Sequence, residues 1–132
     1  MKKLLSPLLA AFVLSSCAAF VPKYDPVEYA HVVISVQMAR KAQTTCDGSP
    51  HNIRAWADIL EDRAEILEIY ATYRPAQKEF KEALTIIKNN LKEFKAAYTE
   101  TSSSSPTYCR GKLKIVELSL TKILRVMGDL QQ

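Results

Sequence analysis

Three times in this chain a capping residue stands directly before a proline: Asp25-Pro26, Ser49-Pro50 and Ser105-Pro106. Each pair suits the first turn of a helix. The side-chain oxygen accepts a backbone N–H that has no partner inside the helix, and proline lacks an N–H where none is needed. Glu28 follows Asp25 at the three-residue spacing of a capping box. The apolar residues agree with a helical chain. Ile53, Trp56, Leu60, Ala64, Leu67 and Ala71 recur in steps of three and four, as do Phe80, Leu84, Ile87, Leu91, Phe94 and Tyr98. Leu113, Val116, Leu120, Ile123, Met127 and Leu130 form a third such seam. Seams of this kind pack against neighbouring helices. The first helix, from Asp25 to about Ala42, offers Val27, Ala30, Ile34 and Met38 on one face, with Val33 and Val36 beside them. No window alternates like a strand. The class is all-α.

Residues 1–16 belong to a different category. Lys2 and Lys3 precede an apolar run from Leu4 to Leu14, interrupted by Ser6 and Pro7. Eleven residues make roughly 16 Å of helix, about half a bilayer core, which is too short for a span. The proportions are those of a cleaved secretory signal. The run ends at Leu14-Ser15-Ser16-Cys17, which resembles the lipobox of bacterial lipoproteins. That resemblance implies that residues 1–16 are removed and that Cys17 becomes the lipidated first residue. It would carry a diacylglyceryl group and an amide-linked acyl chain such as palmitate, because one chain alone binds a bilayer only marginally. Ala18, where an aspartate would favour the inner membrane, resembles the outer-membrane class. Residues 17–24 are then the lipidated N-terminus and a short tether, of which residues 18–24 reach at most ~25 Å, and residues 25–132 form one periplasmic helical domain.

Charge excludes one partner class. Removing Lys2 and Lys3 from the 18 basic residues leaves 16 against 14 acidic ones, too even a balance for nucleic-acid binding. Of the three cysteines, Cys17 is the lipid site, which leaves Cys46 and Cys109. In an oxidising periplasm an even pair reads as a disulfide, with a free reactive thiol as the alternative.

This pair bears on the architecture. Pro75 should break a helix, but no capping residue accompanies it. Residues 50–100 are therefore either two helices with a tight reversal or one long helix kinked at Pro75. An antiparallel four-helix bundle brings the end of its first helix and the start of its fourth to the same end, where Cys46 and Cys109 are neighbours. One long helix would hold them far beyond the ~6 Å Cα separation of a disulfide. Charge favours the bundle too. Asp58, Glu61, Asp62, Glu65 and Glu68 load one segment with acid, and Lys78, Lys81, Lys88, Lys92 and Lys95 load the next with base. Gly111 costs roughly 1 kcal/mol inside a helix, which moves the expected start of the last helix to Lys112 and Cys109 into the loop.

The sequence carries little chemistry. Glu28 and His31 have the Glu-x-x-His spacing of a di-iron bundle, but a second such motif is missing, since Gly48 stands three residues before His51. No nucleophile elbow, phosphate loop or haem motif is present. The expectation is no catalytic residue, no metal and no cofactor. Trp56, Tyr70, Tyr73 and Tyr98 read as core or boundary residues. The expected function is a non-enzymatic lipoprotein at the periplasmic face of the outer membrane, binding an envelope or membrane protein as an accessory or a phage or plasmid exclusion factor. A lysis protein similar to the outer-membrane spanin subunits of phages is one alternative, and a helical carrier of a small apolar ligand is another. Cys17 is directly testable. A metabolic fatty-acid label is expected on the wild type and not on Cys17→Ser, and an unlabelled, soluble wild type would remove the lipoprotein reading.

Overall fold

A computed structural model describes residues 24–74, 77–98 and 104–130. They form four helices: α1 (Pro26–Thr45), α2 (Pro50–Thr72), α3 (Lys78–Ala96) and α4 (Pro106–Asp129). All three cap-proline pairs start helices. The Asp25 carboxylate accepts the N–H groups of Val27 and Glu28 at 2.8 and 3.0 Å. Ser49 accepts from Asn52, and Ser105 from Tyr108. The start of α3 has no side-chain cap, which is why no sequence signal marked it. Pro75 itself lies outside the described residues.

The four-helix alternative is the correct one. Along α2 and α3 the paired charges run in opposite directions, as antiparallel neighbours require: Lys88 with Glu68 at 2.5 Å, Lys92 with Glu61 at 3.7 Å, and Lys95 with Asp58 at 2.6 Å. The tightest packing is α1 on α4 and α2 on α3, and of the four adjacent pairs α3 and α4 touch least. The core lies between these two pairs. Ile53, Leu60 and Leu67 of α2, Leu84, Ile87 and Leu91 of α3, and Leu113 and Leu120 of α4 are all buried. Each such side chain contributes about 1.5–3 kcal/mol by leaving water.

The face of α1 is not the expected one. Val27 and Ile34 are exposed, and Met38 is half-buried. The buried stripe is Glu28, Val32, Ser35, Val36, Ala39 and Ala42. Its small residues let the α1 backbone lie close against α4, and a larger stripe would hold the helices apart. Ser35 is accommodated there because its hydroxyl donates to the His31 carbonyl at 2.8 Å. The start of α4 also differs. It begins at Pro106 and runs through Gly111, so Cys109 sits in the first helical turns and not in the loop. A side chain at Gly111 would meet nothing, so the helix there bears only the propensity cost.

Cys46 and Cys109 form a disulfide with Cα atoms 6.2 Å apart, at the end shared by the close of α1 and the opening of α4. Beside it Gly48 has φ 83° and its carbonyl accepts the Ser104 N–H at 2.9 Å. A Cβ at Gly48 would sit 2.0 Å from the Ser104 oxygen, so this turn requires glycine on two counts. The bond spans 63 residues, for which loop entropy gives about 4 kcal/mol as an upper figure. Cys109→Ser, or reduction, is expected to lower Tm by more than about 10 °C while helical circular dichroism persists at low temperature. An unchanged Tm, or a disulfide-linked dimer on a non-reducing gel, would contradict it.

Candidate functional site

Where α3 and α4 diverge, an apolar groove opens between them at the end of the bundle opposite the disulfide. It encloses about 680 Å³. Phe80, Ala83 and Ile87 form one wall, and Ile123, Val126 and Met127 form the other. Their periodic spacing puts them there, because these helices turn their seams inward without meeting at this end. Tyr24, the residue that leads into α1, lies at its edge, and Glu28 lines it. A second hollow of about 790 Å³ between α2 and α3 is walled largely by charged side chains, among them Glu68, Lys78 and Lys81.

Glu28 is the unusual member of the groove. It is 1 % exposed. Its carboxylate is paired with the Arg74 guanidinium through Oε2, but Oε1 has no hydrogen-bond partner among the described residues. A buried acceptor left unpaired costs roughly 1–3 kcal/mol. Arg74 also lies 3.9 Å from Asp25, and Tyr70 donates to Asp25 at 3.2 Å, which ties the end of α2 to the start of α1. Burial pushes the Glu28 carboxyl up, with Arg74 offsetting part of the effect and Asp25 adding to it. The reciprocal capping-box bond is not made, since Glu28 reaches Arg74 instead.

A second buried acid, Glu117, joins α4 to α1. Its oxygens accept from Lys114 at 2.7 Å, Arg40 at 2.8 Å and Gln43 at 2.8 Å. These donors, Lys114 first, hold its carboxyl down at about 2. Neither acid was singled out as a buried group in the sequence. The signal was there to find, since Glu28 lies one turn before Val32 and Glu117 lies one turn after Leu113, both in line with buried positions.

The sequence-level metal candidates are not brought together. Glu28 is engaged by Arg74, and His31 Nδ1 lies 3.2 Å from Arg63. His51 is exposed on α2. Among the described residues no group of three or more His, Cys, Asp or Glu side chains could hold a metal ion. Of the aromatic residues, Trp56 and Tyr98 pack against the core, but Tyr73 is 86 % exposed and is neither core nor boundary. Cys17 lies outside the described residues. No described helix is long and apolar enough to cross a membrane.

An exposed apolar stripe runs along the α1–α2 seam. The contact between His31 and Arg63 fixes these helices side by side. Val27 and Ile34 flank His31 four residues before and three after, and Ile59 and Ile66 flank Arg63 in the same way. All four are exposed, together with Tyr73 one heptad beyond Ile66. Comparison with protein-family models, curated proteins and solved structures finds no match for this chain.

The two buried acids predict opposite responses to pH. The pKa of Glu117 is lowered on folding, so its stabilisation is present above about 4.5, the ordinary glutamate value, and is lost as pH falls towards about 2. Glu117→Gln is expected to cost about 1–2 kcal/mol at pH 7, moderated because Arg40 and Lys114 are solvent-exposed, and nearly nothing at pH 2. The pKa of Glu28 is raised, so its contribution is largest below the ordinary value and declines as pH rises through the folded one. Glu28→Gln should therefore gain on the wild type as pH rises. Urea denaturation across this range checks both signs.

Proposed function

We propose that this chain is a lipid-anchored envelope protein, held through Cys17 at the periplasmic face of the outer membrane, that acts by binding another protein and not by catalysis. The α1–α2 stripe carries this reading. The bundle closes its core with the seams of α2, α3 and α4 and the small-residue face of α1. The apolar side chains of the stripe are left over. Val27 with Ile34, and Ile59 with Ile66 and Tyr73, repeat at heptad spacing, the pattern that receives a helix. From Ile59 to Tyr73 the stripe is about 21 Å long, enough for four turns of a partner. Exposed apolar surface in a continuous stripe marks a protein contact more often than scattered residues do. The partner is an amphipathic helix of an envelope protein within reach of the tether. A coiled-coil lysis partner gets less support, because the three regular seams it would engage are buried inside this bundle.

A photo-crosslinking residue placed at Ile66 in cells is expected to give a discrete adduct with one envelope protein. The same residue at Asn89, exposed on α3, should not. Ile59→Lys with Ile66→Lys should abolish the adduct at Val27 while stability falls by less than about 1 kcal/mol, as befits surface positions. No adduct at Ile66, or equal labelling at Asn89, would overturn the reading, and an adduct with a second copy of the chain would replace it with self-association.

A further inference from the structure

The groove between α3 and α4 is separate from the α1–α2 stripe and calls for its own ligand. Its volume, about 680 Å³, falls within the roughly 300–1,000 Å³ typical of small-molecule sites. It is also elongated. Its lining on α4 runs from Ser119 to Leu130, about 16 Å of helix. Both walls are mostly apolar along this length, with Glu79 on α3 and Ser119 and Lys122 on α4 as polar interruptions, and Glu28 is the buried polar group that lines it. There a fully buried carboxylate keeps one oxygen, Oε1, without a donor. The fold leaves unfilled an apolar channel and a hydrogen-bond acceptor beside it.

The local charge decides which donor fits. Asp25 and Glu28 are two carboxylates set against the single guanidinium of Arg74. Glu79 and Lys122, also lining the groove, are of opposite sign and offset each other. The Glu28 region therefore has an excess of negative charge, which favours a cationic donor over a neutral one and repels an anion. We propose that this groove is a binding site for a single-chain amphiphile with a primary amine head. The chain lies between Phe80 and Ile87 on one side and Ile123 and Met127 on the other. The head donates an N–H to Glu28 Oε1, the buried acceptor without a partner among the groove-lining residues. Binding of this kind is independent of the protein partner on the stripe.

The full chain carrying Cys17→Ser, so that its own lipid does not compete, is titrated calorimetrically with n-decylamine, n-decanol and decanoate below their micelle concentrations. Decylamine should bind with one-to-one stoichiometry, about tenfold or more tighter than decanol, as a charge-assisted hydrogen bond requires, and decanoate should not bind. Val126→Lys, at an exposed position on the groove wall, should weaken decylamine binding without altering the fold. Glu28→Gln should bring decylamine and decanol to equal affinity. If that variant does not fold, the head-group comparison and Val126→Lys still decide. Equal affinity of all three probes for the unaltered groove would overturn the amine head, and absence of saturable binding would overturn the site. Binding that appears only after Phe20→Ser with Val21→Ser would overturn it in favour of the chain's own N-terminal segment as occupant. Crosslinking at Ile66 is unaffected by any of these outcomes, so this site and the protein-binding reading fail separately.

Discussion

The staple between Cys46 and Cys109 is the constraint from which the asymmetry of this bundle follows. It holds the close of α1 to the opening of α4, and the Ser104–Gly48 bond joins the neighbouring loops at the same place. Arg54 of α2 adds a third tie by donating to the Tyr98 carbonyl at 3.0 Å, just past the end of α3. All four helices are therefore tied at one end. At the other end α1 and α2 are linked through Asp25, Tyr70 and Arg74, but no comparable link joins α3 to α4 among the described residues. The bundle closes where it is stapled and opens where it is not, and the groove is the consequence.

Within this frame the two buried acids do different work. Glu117 is matched by three donors, so its ionised form is the stable one and it locks the middle of α4 to the last turns of α1. Glu28 is matched on one oxygen only. An apolar side chain of similar size would cost the fold less at that position, since replacing a buried ion pair with packed hydrophobic residues is often neutral or stabilising. Stability alone does not account for a half-satisfied carboxylate at the inner side of an apolar groove. A ligand that supplies the missing donor does.

Much of the architecture was legible in the sequence, for reasons that also mark where legibility ends. Asp25, Ser49 and Ser105 announce helix starts because the physics of an orphan N–H is local. The seams of α2, α3 and α4 are legible because Leu, Ile and Phe at periodic positions have no better place than the core. The charged faces of α2 and α3 gave their pairing, and the cysteines gave the topology. The first helix misleads because, beside Val32 and Val36, its buried stripe is made of Glu28, Ser35, Ala39 and Ala42, polar or small side chains that a search for large apolar residues passes over, whereas Val27 and Ile34 are counted and lie outside. Gly111 misleads in the other direction, since a propensity cost of about 1 kcal/mol is small beside the burial of Cys109 and Leu113 on the same helix. The groove was not legible at all. It depends on how far α3 stands from α4, a distance set by the whole assembly and not by either helix.

The misread face of α1 links the fold to the proposed function. Val27 and Ile34 have the spacing of a packing seam, yet both are exposed among the described residues. Leaving such residues partly in water forgoes a share of the about 1.5–3 kcal/mol that full burial of each would give, a share that a covering partner would recover. The small-residue stripe meets the need for close contact with α4, which frees the larger side chains for the outside. The neighbouring helix repeats the arrangement with Ile59 and Ile66 around Arg63, so the two leftovers merge into one surface along the seam. Both helices leave two β-branched residues exposed at matching register about the same His31–Arg63 contact, and this shared surface is what supports the proposed docking of a third helix.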